Sequence, residues 1–269
     1  MEPHGDSRAA ASGANAVGMN DSLARWRGKV ALVTGASSGI GRAIAEDFGR
    51  LGLKVAVTGT RESVLEQTAA SVRANGGEAL VLVGDQRELA TNRRFFADVA
   101  AQWGTVDVLV NNAGVLGGRS VLHDDWQELQ AAFDVNVRAA LICMREAAAG
   151  MRGKADAAII NVSSMTGHRV VPGTPAVYAA TKHALRILTD GVRNELVADG
   201  QSVKVALLSP GLVDTPWHAK PGGLLAEKGH YPYPPLAAGD LVEAVRYVLA
   251  APPGVQVCDI LLRPSAQPF

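Results

Sequence analysis

The sequence predicts an α/β fold: a doubly wound, parallel sheet of about seven strands, flanked by helices in a single domain. Three observations point there. From Arg27 onward, short wholly apolar runs alternate with longer amphipathic stretches, the pattern of buried strands joined by right-handed crossover helices. Of the 269 residues 48% are hydrophobic and only 5% aromatic, which suits helices packed tightly on a parallel sheet better than an aromatic-rich sandwich. The first apolar run is followed at once by a glycine- and serine-rich turn that opens a helix. In such folds ligands bind outside the carboxyl ends of the strands.

The elements follow in order. Val30-Ala31-Leu32-Val33-Thr34 reads as a buried strand, and 40–51 as a helix closed by Gly52. A second strand at 54–58, a helix at 63–74, a third strand at 79–83, a helix at 88–102 and a fourth strand at 106–110 complete the first half. A long helix is expected over 126–151, with Leu129, Phe133, Val137, Leu141 and Met144 along one face. Strands at 157–162, 203–208 and 257–262 and helices at 176–198 and 240–250 account for the rest. Residues 1–24, rich in Ala, Gly, Ser and Asn, show no hydrophobic period and read as a disordered extension, leaving 25–269 as the folded domain. Glu2, Asp6 and Asp21 argue against a transit peptide, and no apolar core supports a secretory signal.

Composition narrows the function. A formal charge of +0 gives no global electrostatic reason to expect nucleic acid or an acidic membrane surface as partner. No apolar run approaches the ~20 residues that span a bilayer. Cys143 and Cys258 are far apart and not in CxxC spacing, and no His, Asp or Glu cluster has metal-ligand spacing. A reducing, cytoplasmic setting without a metal is expected.

After the first strand the sequence reads Thr34-Gly35-Ala36-Ser37-Ser38-Gly39-Ile40-Gly41. Gly35 permits a sharp turn, Gly39 lets a pyrophosphate approach the N–H groups of the helix start, and Gly41 lets that helix sit close to the sheet. A glycine turn before a helix is common by itself. This one, spaced GxxxGxG rather than GxGxxG, resembles the TGxxxGxG fingerprint of the short-chain dehydrogenase/reductase family, whose Rossmann-type sheet binds a nicotinamide dinucleotide.

At the end of the second strand a carboxylate would bind a ribose 2′-hydroxyl and repel a 2′-phosphate. Thr60 stands there instead, followed by Arg61, whose guanidinium suits a phosphate, with Ser37 or Ser38 as further donors. NADP(H) is therefore expected rather than NAD(H). Tyr178 and Lys182 lie four apart on a predicted helix and share a face. A neighbouring ammonium should lower the phenol pKa and make Tyr178 a proton carrier.

The resemblance assigns further residues. Asn112, Ala113 and Gly114, in the Asn111-Asn112-Ala113-Gly114 segment, match the segment beside the adenine ribose, and Asp85 matches an acid that contacts the adenine ring. Ser164, at the end of the 157–162 strand, matches the serine that hydrogen-bonds the substrate oxygen, with Ser163 the lesser candidate. Asn136 matches a helix asparagine that supports a water linked to the lysine, and Lys182 would also hold the nicotinamide ribose. Pro210, Gly211, Val213 and Thr215 match the PGxxxT segment that orients the nicotinamide ring. Read singly, Asp85 is a turn residue, Arg61 a solvated loop charge and Asn136 a structural polar group. Read in series, the motifs imply an oxidoreductase that interconverts a carbonyl and an alcohol.

Two stretches, 163–170 and 259–267, resemble the farnesol dehydrogenase-like subgroup, which acts on lipophilic carbonyls. A proline- and glycine-rich segment at 217–235 sits where such chains place a mobile substrate lid, and Trp217, Tyr231 and Tyr233 are candidates to line an apolar pocket or to anchor the loop. His218 and His230 show no catalytic partner. Homodimers or homotetramers built on the 126–151 and 176–198 helices are the family's usual assemblies. Alternatives are a 3-hydroxy-acid or 3-oxoacyl reductase of the same family, or a silent NADP(H)-binding sensor or scaffold. The intact Ser164, Tyr178 and Lys182 set speaks against the last. The glycine spacing argues against a sugar-nucleotide epimerase, and the Tyr178–Lys182 spacing against an enoyl reductase.

Overall fold

The protein is represented by a computed structural model that describes residues 18–170, 173–217 and 231–268. Seven parallel strands form one sheet: β1 (Val30–Val33), β2 (Lys54–Gly59), β3 (Glu78–Val83), β4 (Val108–Asn111), β5 (Ala158–Val162), β6 (Lys204–Pro210) and β7 (Asp259–Leu262). Their order across the sheet is β3-β2-β1-β4-β5-β6-β7. The direction of winding reverses between β1 and β4, and that switch point opens the crevice in which α/β sheets bind ligands.

The strands are apolar on both faces because both faces are covered. Ala31 and Val33 of β1 point into a core with Val55, Val57, Val108 and Ile160, covered by α2 (Gly39–Arg50), α3 (Glu62–Ala74) and α8 (Ala238–Ala250). Val30 and Leu32, one residue out of phase, point the other way. There they meet Leu109, Ile159 and Val205 beneath α4 (Leu89–Trp103), α6 (Ala140–Met151) and α7 (Ala176–Ala198). A buried polar chain joins the sheet to α7: the Asn111 amide donates to Asn161 Oδ1 at 2.9 Å, and the Asn161 amide donates to Thr189 Oγ1 at 2.9 Å.

Two expectations differ from the structure. The extension predicted to be disordered over 1–24 has order at its end. Residues 1–17 lie outside the described residues, but α1 (Met19–Leu23) and the 3₁₀ turn Ala24–Trp26 pack on α8. Leu23 and Trp26 are 1% and 0% exposed, and the Trp26 indole donates to the Leu249 carbonyl at 3.0 Å. Burial of such a leucine contributes about 1.5–3 kcal/mol. Five helical residues with few apolar positions are too short a signal for periodicity to reveal.

The expected long helix is interrupted. α5 (Trp126–Phe133) passes into a π-helical segment, Asp134–Ala139, before α6. The wider turn rotates the inward face, so that Phe133 is 45% exposed while Asn136 is 1% exposed. A heptad-like reading of Phe133 as a core residue assumed unbroken α geometry. Among the described residues, no helix is long and apolar enough to cross a membrane.

Candidate active site

A cavity of about 1110 Å³ runs along the carboxyl edge of the sheet, from Thr60 and Asp85 at one end to Tyr178 and Trp217 at the other. Most of its lining comes from segments just after the strands and from helix starts, as the topology requires, with Glu128, Ala131 and Val135 added from within the 126–139 helical segment.

At the first end the chain turns out of β1 through Gly35 and Gly39, whose φ values of 64° and 57° fall in the left-handed region that L side chains avoid. Close approach adds a second demand. A Cβ on Gly35 would stand 2.8 Å from the Ala113 Cα, and one on Gly41 2.4 Å from the Asn112 amide nitrogen and 2.6 Å from the Gly35 carbonyl oxygen. On Gly39 it would meet the Thr215 methyl at 3.0 Å, so this glycine makes room for the loop after β6 as well as for a ligand.

The Asn112 side chain donates to the Thr34 and Gly35 carbonyls at 3.0 and 3.1 Å, while the Thr34 hydroxyl accepts the Asn112 and Ala113 N–H groups. The glycine turn and the 111–114 segment are thus one unit. Ser38 and Ile40 complete the rim at the start of α2. Beyond Thr60, the Arg61 guanidinium donates to Ser37 Oγ at 3.2 Å, which brings the expected phosphate donors together. Asp85 lines the cavity, but Arg87 engages its carboxylate through a backbone N–H at 2.9 Å and Nε at 2.9 Å. That hydrogen-bonded arginine holds the Asp85 pKa below the usual carboxylate range.

At the other end three segments converge. Ser164 leaves β5 and caps the 3₁₀ turn Met165–Gly167, its hydroxyl accepting the Thr166 N–H at 3.2 Å. Tyr178, 8% exposed, stands in the first turn of α7 and lines the cavity with Ser164, its hydroxyl near the Ser164 side chain. One turn on, the Lys182 ammonium donates to the Val162 carbonyl at 2.9 Å and lies 5.6 Å from the Tyr178 ring centroid. Ser163 points elsewhere: its hydroxyl donates to the Lys182 carbonyl at 3.2 Å, under the Gly167 backbone. Ser164 is therefore the serine that faces the tyrosine.

The electrostatics reverse one expectation. Lys182 was to lower the Tyr178 pKa, yet burial dominates and raises it, with the Ser164 hydrogen bond opposing the shift. Burial also brings Lys182 down to about 8. Both changes have one cause: desolvation penalises whichever form carries charge.

Asn136 projects from the π-helical segment. Its amide donates to the Val115 carbonyl at 2.8 Å and to Thr181 Oγ1 at 3.0 Å, and its Oδ1 accepts the Val115 N–H at 2.9 Å. It therefore fastens the loop after β4 to α7 between Tyr178 and Lys182. Pro210 at the end of β6 and Gly211, Val213 and Thr215 after it line the cavity, and Val213 forms a parallel bridge with Leu236. That bridge closes the base of the segment expected to form a lid.

Residues 218–230 of that segment, with His218 and His230, lie outside the described residues. Its flanks divide in role. The Trp217 ring packs on Tyr178 with centroids 5.6 Å apart and its indole donates to the Gly114 carbonyl at 3.3 Å, and Tyr233 lines the cavity. Tyr231 instead donates to Asp214 at 2.6 Å and is a loop anchor. Sequence reasoning assigned no role to Gln86, Leu116, Thr174 or Gln267, all of which line the cavity. Only Gln267 had a signal, its place in the C-terminal stretch that resembles a subgroup.

Comparison with known proteins agrees with this geometry. The family model described as short chain dehydrogenase matches residues 29–222. The chain is 37% identical over 258 residues to mouse dehydrogenase/reductase SDR family member 11, covering 91% of this chain and 97% of that protein. It is 37% identical over 249 residues to farnesol dehydrogenase of Aedes aegypti, covering 91% and 99%. Among solved structures, an alcohol dehydrogenase from Thermococcus sibiricus complexed with 5-hydroxy-NADP superposes with a TM-score of 0.78 at 26% identity, covering 90% of this chain and 98% of that one. A short chain dehydrogenase from Burkholderia cenocepacia in complex with NADP gives 0.77 at 29% identity, covering 88% and 97%. With a family model matched over 29–222 and relatives 37% identical along nearly their whole length, the chain belongs to the short-chain dehydrogenase/reductase family of oxidoreductases.

Proposed function

We propose that this protein is an NADP(H)-dependent oxidoreductase that interconverts a lipophilic ketone or aldehyde and the corresponding alcohol. The observation that carries the reading is the convergence of Tyr178, Ser164 and Lys182 at one end of a cavity whose other end is lined by Ser37 and Thr60, with Arg61 hydrogen-bonded to Ser37.

The residues fit a dinucleotide. Gly35 and Gly39 leave backbone open to the cavity, the buried Gly41 lets α2 pack on Asn112 and the Gly35 carbonyl, and the start of α2 offers N–H groups and a partial positive charge to a pyrophosphate. Arg61 and Ser37 supply donors for a 2′-phosphate, and no carboxylate stands at Thr60 to repel it. The 210–215 loop would hold the nicotinamide end, with Lys182 and Tyr178 on its ribose by resemblance to the family. NADP(H), when bound, supplies or accepts the hydride.

The chain's own residues handle the proton. Burial keeps Tyr178 protonated at neutral pH, ready to donate to a carbonyl oxygen as negative charge develops there. The Ser164 hydroxyl, held beside it, donates a second hydrogen bond to the same oxygen. The Lys182 ammonium, one helical turn away, stabilises the phenolate left behind. In the reverse direction the tyrosine accepts the alcohol proton. Asn136 and Trp217 fix the walls: the first locks the loop after β4, and the second packs against the tyrosine ring.

A lipophilic substrate is supported by Val115, Leu116, Met165, Trp217 and Tyr233 in the lining, and by the farnesol dehydrogenase among the relatives. A cytoplasmic homodimer or homotetramer is the setting consistent with the family's usual assemblies. The test is consumption of NADPH or NADH by the purified protein against steroids, terpenoid aldehydes, hydroxy-acid semialdehydes and simple ketones. Turnover with NADPH and an apolar carbonyl is expected. Preference for the semialdehydes would point to a hydroxy-acid reductase, and NADPH binding without turnover of any carbonyl would point to a sensor.

A further inference from the structure

The side chain of Gln267, near the carboxyl end of the chain, is 7% exposed and lines the cavity between two segments remote from it in sequence. Its Oε1 accepts the Leu212 N–H at 2.9 Å, and its amide donates to the Met165 sulfur at 2.9 Å. Leu212 lies between Gly211 and Val213 in the 210–215 loop, and Met165 follows Ser164 directly. A Cβ on Gly211 would stand 2.2 Å from Gln267 Oε1, so the glycine is what admits the amide. The approach is aimed by backbone: Gln267 N–H closes a turn on the Pro264 carbonyl at 3.0 Å, and Gly211 N–H bonds the Leu262 carbonyl at 2.8 Å.

From this bridge we propose that Gln267 is a positioning residue that sets the spacing between the loop carrying Thr215 and the turn carrying Ser164. Resting on the nicotinamide reading above, the inference assigns the C-terminal segment the task of holding the ring-binding loop in register with the group that grips the substrate oxygen. The amide's hydrogen bonds go to Leu212 and Met165, not to Arg61 or Ser37 at the adenine end. Leucine at 267 preserves volume but leaves the Leu212 N–H without its acceptor, and an unsatisfied buried donor moves toward water.

The experiment compares full-length wild type, Gln267→Leu and Gln267→Glu, the last retaining an acceptor for Leu212. NADPH and adenosine 2′,5′-bisphosphate, which lacks the nicotinamide half, are titrated separately, and kcat is measured with the best carbonyl. Gln267→Leu is expected to weaken NADPH and lower kcat by about tenfold each while the bisphosphate binds as in wild type, and Gln267→Glu to lose less than the leucine variant. Unchanged NADPH affinity and kcat in Gln267→Leu would overturn the proposal, as would equal weakening of both ligands, which marks a general loss of fold. Should the leucine variant not fold, Gln267→Glu decides by the same contrast: NADPH weakened selectively supports the bridge, and no selective loss refutes it. Wild type that binds neither ligand refutes the nicotinamide reading itself, an outcome visible before any variant is compared.

Discussion

The two ends of the cavity are built on different plans. At the end proposed for the adenine half of the cofactor, the working surface is mostly backbone: a glycine turn, the start of α2, and a 111–114 segment stitched to it through Thr34 and Asn112. Its pieces are local motifs whose conformations follow from glycine φ values and from the absence of Cβ atoms. At the catalytic end the working surface is side chains from β5, α7, the π-helical segment, the loop after β6 and the C-terminus. Those segments are spread from 134 to 267, and Lys182, Asn136 and Gln267 are each held by a partner from another of them.

The largest expected effect separates the two ends directly. Tyr178→Phe removes one hydroxyl from the catalytic end, so kcat is expected to fall by about 10²–10⁴-fold while NADPH affinity, read by titration, stays within a few-fold of wild type. Loss of NADPH binding in that variant would show that the ends are not separable. Next in size is Arg61→Ala. Charge-assisted hydrogen bonds to a phosphate contribute about 1.5–3 kcal/mol, so NADPH affinity should drop by about 10–100-fold while NADH affinity and kcat at saturation are preserved. Equal losses for both cofactors would remove the 2′-phosphate from the Arg61–Ser37 site.

A smaller effect lies in pH. Lys182 is lowered to about 8 by burial, so its ammonium is present below that pH and is lost as pH rises through it. Tyr178 is raised and stays protonated over the same range. Reductive kcat/KM is therefore expected to be level below about pH 8 and to fall by about tenfold per unit above it. In Lys182→Arg, whose guanidinium keeps its proton, that break should disappear from the pH–rate profile. A break near pH 8 that survives the substitution would assign the titration to another group.

Legibility in the sequence follows the same division. The strands, the crossover helices and the order of motifs along the chain could be read because a buried parallel strand is apolar throughout and a helix repeats every 3.6 residues. Gly35, Gly39 and Gly41 were legible for the same reason: a left-handed φ or a 2.4–2.8 Å approach admits glycine alone, wherever the partner comes from. Tyr178 and Lys182 could be paired because four residues on a helix define a face.

What only the tertiary structure decided is which remote groups meet. The motif already favoured Ser164 over Ser163, but only the fold shows the Ser163 hydroxyl committed to the Lys182 carbonyl. The π-helical segment that turns Asn136 inward and Phe133 outward depends on packing against the loop at Val115 and on Thr181, which no local propensity encodes. The pKa of Tyr178 moved opposite to the pairwise argument because burial is a property of the assembled site, not of a tyrosine and a lysine four positions apart. Gln267 reaches Leu212 and Met165 across 55 and 102 residues of chain. Sequence alone determined the scaffold and named the candidate reacting groups, since strand and helix periodicity and motif spacing are short-range features of the chain. Their environment waited on the fold, because desolvation and long-range hydrogen bonds exist only once the distant segments are packed together.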